Sequence, residues 1–417
     1  MIKNDFGHLG CPYYEEKLEN GITLILIPRK SKLKSAGIYI GKGNLFNVRE
    51  ANGAKRYKGT AFFAKERIRS PSFKEELASK GIIGNSRIDY SYTYYSLDSL
   101  EDVYSGLKRL RDKIVKRDFK EEELEGIKAA LLPRLKEEEK KPENICEKKR
   151  LKNRYFASPL KDSVLPSESD SISIHTSSLK RFVENYYVPK NRVVFASLDE
   201  TPSVRIQKLS GLVFPPDLTI WEKKSKIRDE SKVVERLGEE SFDGRGTYVS
   251  YGFKFPIRKD LYEHYGRGLF PKYELRRKNF FVSPHLIAQL NDKQADLLSA
   301  HFYQGGEDTY VSLNRRVIDE KPILDFLDLY FSKLDNRIRK DEFNNSKREY
   351  KAASRKNLAL PNKAISEFAR NFPNHIPYTS LVSLVNKENY SGYRRFGEDI
   401  SSFEKAAFIL KGKRFNG

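Results

Sequence analysis

The 417-residue chain is 38% hydrophobic and carries 24 Tyr and 26 Phe, which supports two or three domains with real cores and excludes a disordered chain. Its net charge of +21 makes a field that attracts acidic partners, nucleic acid or anionic membrane. The excess is spread, +12 over residues 1–210 and +9 over 211–417, so a lysine-rich composition explains it without nucleic acid.

The first residues, MIKNDFGHLGCPYYEE, are polar and carry acids. They have neither the apolar core of a signal peptide nor the Arg-rich, acid-poor pattern of a transit peptide, so a cytoplasmic protein is expected. No apolar run approaches the ~18–20 residues that span a membrane, and no membrane partner is expected. Residues 23–27 (TLILI) and 36–40 (AGIYI) read as strands, with Asn20-Gly21 before the first and a basic link between them, a hairpin-like pair. A helix is predicted over roughly 59–68. A second, Ser72 to Gly81, has Ser72 as N-cap, Glu75 completing a capping box and Gly81 as its stop. RIDYSYTYYSL then alternates as one strand. Residues 99–116 place Val103, Tyr104, Leu107, Leu110 and Ile114 at helical spacing. Helices over about 120–138 and 177–187 and a strand over 192–198 complete the first half.

The second half echoes the first. YVSYGFKF (248–255) is a strand, and 322–338 places Ile323, Phe326, Leu327, Tyr330, Phe331 and Leu334 on one helix face. KRDFKEEELEGIKAALLPR (116–134) finds a counterpart in RIRKDEFNNSKREYKAASR (337–355): Leu124 matches Phe343 and Lys128 matches Lys347, both 219 positions on. That spacing is half the chain, as a duplicated domain of about 200 residues requires. The expected division is 1–205, a polar, proline-bearing linker at 206–235, and 236–417.

Several stretches, in this order, resemble the peptidase family M16, which includes pitrilysin, insulysin and the mitochondrial processing peptidases. KLENGITLILIPRK resembles its opening strand, and GTAFFAKER (59–67) sits where the family carries an inverted zinc motif, H-x-x-E-H, on a helix. The segment from LASKGIIGNSRIDYSYTYYSL to KEEEKKPE resembles the approach to the family's third ligand, a glutamate. FVENYYVPKNRVVFASLD resembles the strand closing the domain. SPHLIAQLNDKQADLLSA (283–300) and DEFNNSKREY (341–350) resemble the family's C-terminal domain. The resemblance covers nearly the whole chain. It implies an α+β fold: two tandem related domains, each an antiparallel sheet with helices packed on one side.

It also implies where a site should be. In H-x-x-E-H two imidazoles four apart bind zinc, the Glu is general base to the bound water, and a distant carboxylate completes the set. Laid on this chain, the two His positions hold Phe62 and Glu66, the base position Lys65, and the distant glutamate position Arg134. Phe has no lone pair, a protonated Lys cannot accept a proton, and Arg brings positive charge toward a dication. A Glu66–Arg134 salt bridge is expected to replace the metal as a staple. Glu137, Glu138 and Glu139 would supply a third ligand only under a shifted alignment. The positions of the family's substrate-gripping Arg and Tyr fall at Asn291 and Leu298.

Nothing else in the chain supplies a site. His8, His175, His264, His285, His301 and His375 include no pair three to five apart, and Cys11 and Cys146 form no C-x-x-C. Both thiols are expected to be spectators. There is no G-x-S-x-G, no P-loop and no G-x-G-x-x-G after a strand. The expectation is a non-catalytic subunit with no cofactor of its own. Its partners would be a zinc-bearing M16-type chain with H-x-x-E-H, together with which it encloses unfolded peptide. A scaffold subunit of the same fold without a proteolytic role is the alternative, and a basic nucleic-acid-binding protein the third reading.

Overall fold

The computed structural model describes residues 2–4, 12–46, 57–154, 161–199, 235–256, 299–305, 308–317, 340–371 and 404–413, with single residues at 209 and between 324 and 402. Asn291 and Leu298 lie outside these, as do Cys11 and nearly all of the expected 206–235 linker.

Two sheets are present among the described residues. The first holds β1 (Ile2–Asn4), β2 (Tyr13–Lys17), β3 (Thr23–Leu26), β4 (Lys34–Ile40), β5 (Ile82–Ile88), β6 (Thr93–Ser99) and β7 (Arg192–Ser197), in the order β1-β2-β3-β7-β4-β6-β5. The second holds β8 (Leu237–Arg245), β9 (Thr247–Pro256), β10 (Ser299–Gly305), β11 (Asp308–Val317) and β12 (Lys405–Lys413), in the order β10-β11-β9-β12-β8. All neighbours are antiparallel except one pair in each, β3 with β7 and β8 with β12. Taken in chain order, β8 to β12 occupy the places that β3 to β7 occupy in the first sheet, including the parallel pair. The duplication inferred from a 219-residue offset is therefore a duplication of topology.

The helices in chain order are α1 (Thr60–Ile68), α2 (Pro71–Ala78), α3 (Val103–Val115), α4 (Glu121–Lys140), α5 (Pro142–Arg154), α6 (Glu168–Ile172), α7 (Thr176–Tyr186), α8 (Lys340–Ala359) and α9 (Pro361–Asn371). Both ends of α8 lie 219 positions beyond those of α4, and the prolines that open α5 and α9 repeat the offset. Leu124 and Phe343, matched in sequence, are both buried. Lys128 is buried and reaches Glu125, whereas Lys347 lies over the Phe343 ring at 5.7 Å. None of the described helices is long and apolar enough to cross a membrane.

Two local expectations change. α2 begins at Pro71, not Ser72, because proline's fixed φ and missing N–H suit a first helical position; no side chain caps it, and Gly81 follows at φ +66°. RIDYSYTYYSL is not one strand but the end of β5, a turn and most of β6. Asp89 makes that turn: its N–H donates to the Tyr92 carbonyl at 2.9 Å, and its carboxylate accepts from the Tyr90 N–H at 2.7 Å.

The chain divides into two compact units, and neither is a continuous stretch. The first comprises 1–136, 164–226 and 353–379; the second comprises 137–163, 227–352 and 380–417. The expected linear boundaries miss this exchange. In the first unit Leu24, Leu26, Ile38, Ile40, Val194 and Ala196 face a core shared with α1 to α4 and α7. Residues of the opposite parity point to the other face. There Tyr39, Tyr94 and Phe195 stack edge to face, and α9 lies on β4 and β7 with Phe368 against Phe195 and Tyr13. So the first sheet has helices on both faces, the second face being covered by a helix from the other half of the sequence. That is why β4 and β7 read as near-continuous apolar runs. Gly37 belongs to this face: a Cβ there would stand 2.6 Å from the Tyr95 carbonyl and 2.7 Å from the Tyr94 hydroxyl.

The second unit shows the reciprocal arrangement. α5, from the first half of the sequence, lies on β9 and β12. Cys146 is buried there among Tyr248, Phe408 and Leu410, and Arg150, buried as well, donates to the Ser250 hydroxyl at 2.9 Å.

Candidate functional site

α1 carries the family's motif frame and is a core helix. It starts from Gly59, whose φ of +84° and lack of a Cβ let the chain turn against Pro166; a Cβ would fall 2.5 Å from that ring. Thr60 then donates to the Tyr57 carbonyl at 2.5 Å. Eight of the nine residues of α1 are buried, so the helix is fixed by packing.

Phe62 is 5% exposed and sits edge to face with Phe63, 5.9 Å between ring centres. Four positions on, and so on the same face, Glu66 is nearly buried. Lys65 lies between them in sequence. Its ammonium contacts the Glu66 carboxylate and lies 4.6 Å from the centre of the Phe62 ring. Burial pulls the Lys65 pKa down, Glu66 pushes it back up, and the charges of Arg69 and Arg134 act against protonation. Arg134, on α4, is exposed. The structure thus brings Phe62, Lys65 and Glu66 together, with Arg134 near enough for its charge to act on Lys65. The expected Glu66–Arg134 staple is not formed: Glu66 is held by Lys65, which is closer, shares its helix and needs a counter-charge more than an exposed arginine does.

These residues do not fit zinc. Phe62 offers no donor atom, the Lys65 ammonium has no lone pair, and the carboxylate of Glu66 is already engaged by a cation. Nor do the neighbouring carboxylates repair the set: Glu138 bonds Lys141 at 2.7 Å, and Glu139 lies 3.5 Å from Lys148. Among the described residues no three His, Cys, Asp or Glu side chains gather as a metal site. His175 is the N-cap residue of α7, its carbonyl accepting from the Ser178 hydroxyl at 2.7 Å.

Sequence reasoning missed the polar groups that flank α1. Arg67 is 4% exposed, and its guanidinium donates to the Lys113 carbonyl at 2.8 Å and the Lys116 carbonyl at 3.3 Å. A cation thus closes the last carbonyls of α3, where the helix dipole favours positive charge. The same group stacks on Phe119 at 4.2 Å. Behind it the Tyr95 and Tyr187 hydroxyls meet at 3.0 Å, and burial pushes the Tyr187 phenol up to about 12. The alternation of YSYTYYSL was a signal for Tyr95 alone, and nothing in it pointed to Tyr187. Cys146, expected to be a spectator, donates to the Phe408 carbonyl at 3.1 Å and the Tyr248 carbonyl at 3.4 Å. Burial raises its thiol to about 12, which leaves almost no thiolate at neutral pH.

Residues 25–168 match the family model Insulinase (Peptidase family M16). A protease from Helicobacter pylori shares the fold at 16% identity and a TM-score of 0.82, over 96% of this chain and 99% of that one. The peptidase M16 inactive domain from Pseudomonas fluorescens does so at 14% identity and 0.75, over 96% and 97%. The first half of the periplasmic protease PqqL from Escherichia coli does so at 11% identity and 0.70, over 96% and 91%. At such identities the likeness is one of fold. No curated protein matches the chain by sequence.

Proposed function

We propose that this chain, a member of peptidase family M16, is a non-catalytic subunit that pairs with a zinc-bearing M16 chain to enclose unfolded peptide. The observation that carries the reading is at α1: where the family places a zinc-binding imidazole, Phe62 is packed into the core, and where it places the general base, the Lys65 ammonium is tied to Glu66. A protonated, paired lysine takes no proton from water, and one engaged carboxylate holds no zinc.

What remains is a surface that can hold peptide. Among the described residues β5 is the terminal strand of its sheet; it stands against α1 and α2 and exposes Ile83, Asn85 and Arg87 on one face. An open edge is where an extended peptide adds as a further strand, backbone bonds giving affinity and alternate side chains giving selectivity.

The reading is tested by metal analysis of the purified chain and by identifying what co-purifies with it. Substoichiometric zinc, no cleavage of unfolded peptide alone, and a co-purifying chain with H-x-x-E-H are expected. Tight one-to-one zinc with chelator-sensitive cleavage overturns it, and stable assembly with non-peptidase proteins points to the scaffold role instead.

A further inference from the structure

The second unit contains a cavity of about 590 Å³, within the range of small-ligand and side-chain pockets. Its floor is sheet: Leu237 from β8, Tyr251 from β9 and Ile409 from β12. Its wall is helical at Leu324, Asp325 and Asp328. The two aspartates are three residues apart and so share a helix face. The Tyr251 ring is 2% exposed, and its hydroxyl donates to Asp328 at 2.9 Å, so this carboxylate is anchored from the floor. At the rim Arg236 and Glu404 lie 3.8 Å apart, and Lys405 stands beside Asp328, burial pulling its pKa down and Asp328 pushing it up.

The charge in this cavity runs against that of the chain. The protein as a whole is +21. The cavity's described lining has three carboxylates, Asp325, Asp328 and Glu404, against the two cations Arg236 and Lys405. Arg236 and Glu404 answer each other at the rim, and Lys405 answers Asp328. Among the described lining Asp325 is the carboxylate left over, in a cavity whose floor is largely apolar. A ligand complementary to that pairing has a cationic head for the helix wall and an aliphatic stem for Leu237 and Ile409. We infer that this cavity is a subsite for a basic side chain, guanidinium or ammonium, carried by a peptide. The inference rests on the peptide-handling reading above only for the source of the side chain; the chemistry of the cavity stands without it.

The test uses the purified full-length chain without partner or zinc, titrated by calorimetry. The probes are the blocked tripeptides Ala-Arg-Ala, Ala-citrulline-Ala and Ala-Glu-Ala, and spermidine. Ala-Arg-Ala is expected to bind about tenfold or more tightly than the neutral citrulline isostere, a difference of about 1.4 kcal/mol. The double variant Asp325→Asn/Asp328→Asn keeps an acceptor for Tyr251 and is expected to lose at least about fivefold in affinity for Ala-Arg-Ala with its melting temperature unchanged. Equal binding of the arginine and citrulline peptides, preference for Ala-Glu-Ala, or undiminished binding by the double variant overturns the assignment. Spermidine binding more tightly than the tripeptide overturns the peptide source. The wild-type probe series decides the question even where the variant does not fold. Because no metal or partner is present, failure here leaves the non-catalytic reading standing, and one-to-one zinc would sink that reading without touching this one.

Discussion

Lys65 and Glu66, adjacent on α1, form an ion pair at a place where the side chains keep 8% and 14% of their exposure. Two neighbours on a helix do not ordinarily face each other; here the long lysine stem lets the ammonium reach back, with the Phe62 ring beneath it. Breaking such a pair on one side leaves a desolvated charge, whereas removing both charges is close to neutral. Lys65→Met is therefore expected to cost about 3 kcal/mol in urea unfolding, and Lys65→Met/Glu66→Gln to recover most of it. A double-mutant cycle showing no coupling would mean that the Lys65–Glu66 pair contributes nothing to stability.

Rebuilt with the family's ligands, the positions at α1 and 134 should bind zinc. Phe62→His, Lys65→Glu, Glu66→His and Arg134→Glu together restore the family's ligand set on the same backbone. Position 62 sits in the core, so the change there costs up to ~3–5 kcal/mol, and only a variant with a cooperative melt is informative. Measurable zinc affinity is expected by titration, with little peptidase activity because the positions of the family's substrate-gripping Arg and Tyr hold Asn291 and Leu298. A folded variant blind to zinc would show that α1 and position 134 do not converge on one site.

Alkaline pH should loosen the first unit through Tyr187. Its phenol has a pKa of about 12 in the fold against 10.0 ordinarily. Between those values the unfolded chain releases the proton and the folded chain keeps it, so stability falls as pH rises. The contribution is fully present below about pH 10 and lost through about pH 12, on the order of 2–3 kcal/mol. Tyr187→Phe gives up the hydrogen bond to Tyr95, about 1 kcal/mol, but should lose less stability between pH 9 and 11.5 than the parent. Parallel pH curves for the two proteins would refute the assignment.

Phe368 tests the exchanged helix. It is 3% exposed, 5.3 Å from Tyr13 and 6.4 Å from Phe195 between ring centres. Phe368→Ala should cost about 3–5 kcal/mol and lower hydrogen-exchange protection in β4 and β7. Those strands end at least 160 residues before the mutation, so protection loss confined to the neighbourhood of α9 would contradict the packing.

Much of this was legible because it is periodic. α3, α4 and α7 keep apolar residues at helical spacing, and α4 and α8 keep the spacing of Leu124 and Phe343, so both the helices and their repeat could be read from the sequence. The Asp89 turn was not, because it uses neither glycine nor proline and relies on one carboxylate and one backbone bond. Nor was the exchange of α5 and α9: an amphipathic stripe says that a face is buried, not which sheet buries it. At α1 the mismatch between the residues present and the family's zinc ligands follows from residue identity alone. Which charge Glu66 meets does not, since that depends on where a flexible lysine lays its stem.

The reciprocal helices also set an order of events at the ribosome. The strands of the first sheet are all synthesised by Ser197, but the helix that covers their aromatic face ends at Asn371. At about 5–20 residues per second, Tyr39, Tyr94 and Phe195 wait on the order of 10–35 s without the helix that covers them. A nascent chain stalled within that interval should therefore be a chaperone client, and release of the chaperone should coincide with emergence of α9 rather than with completion of the sheet.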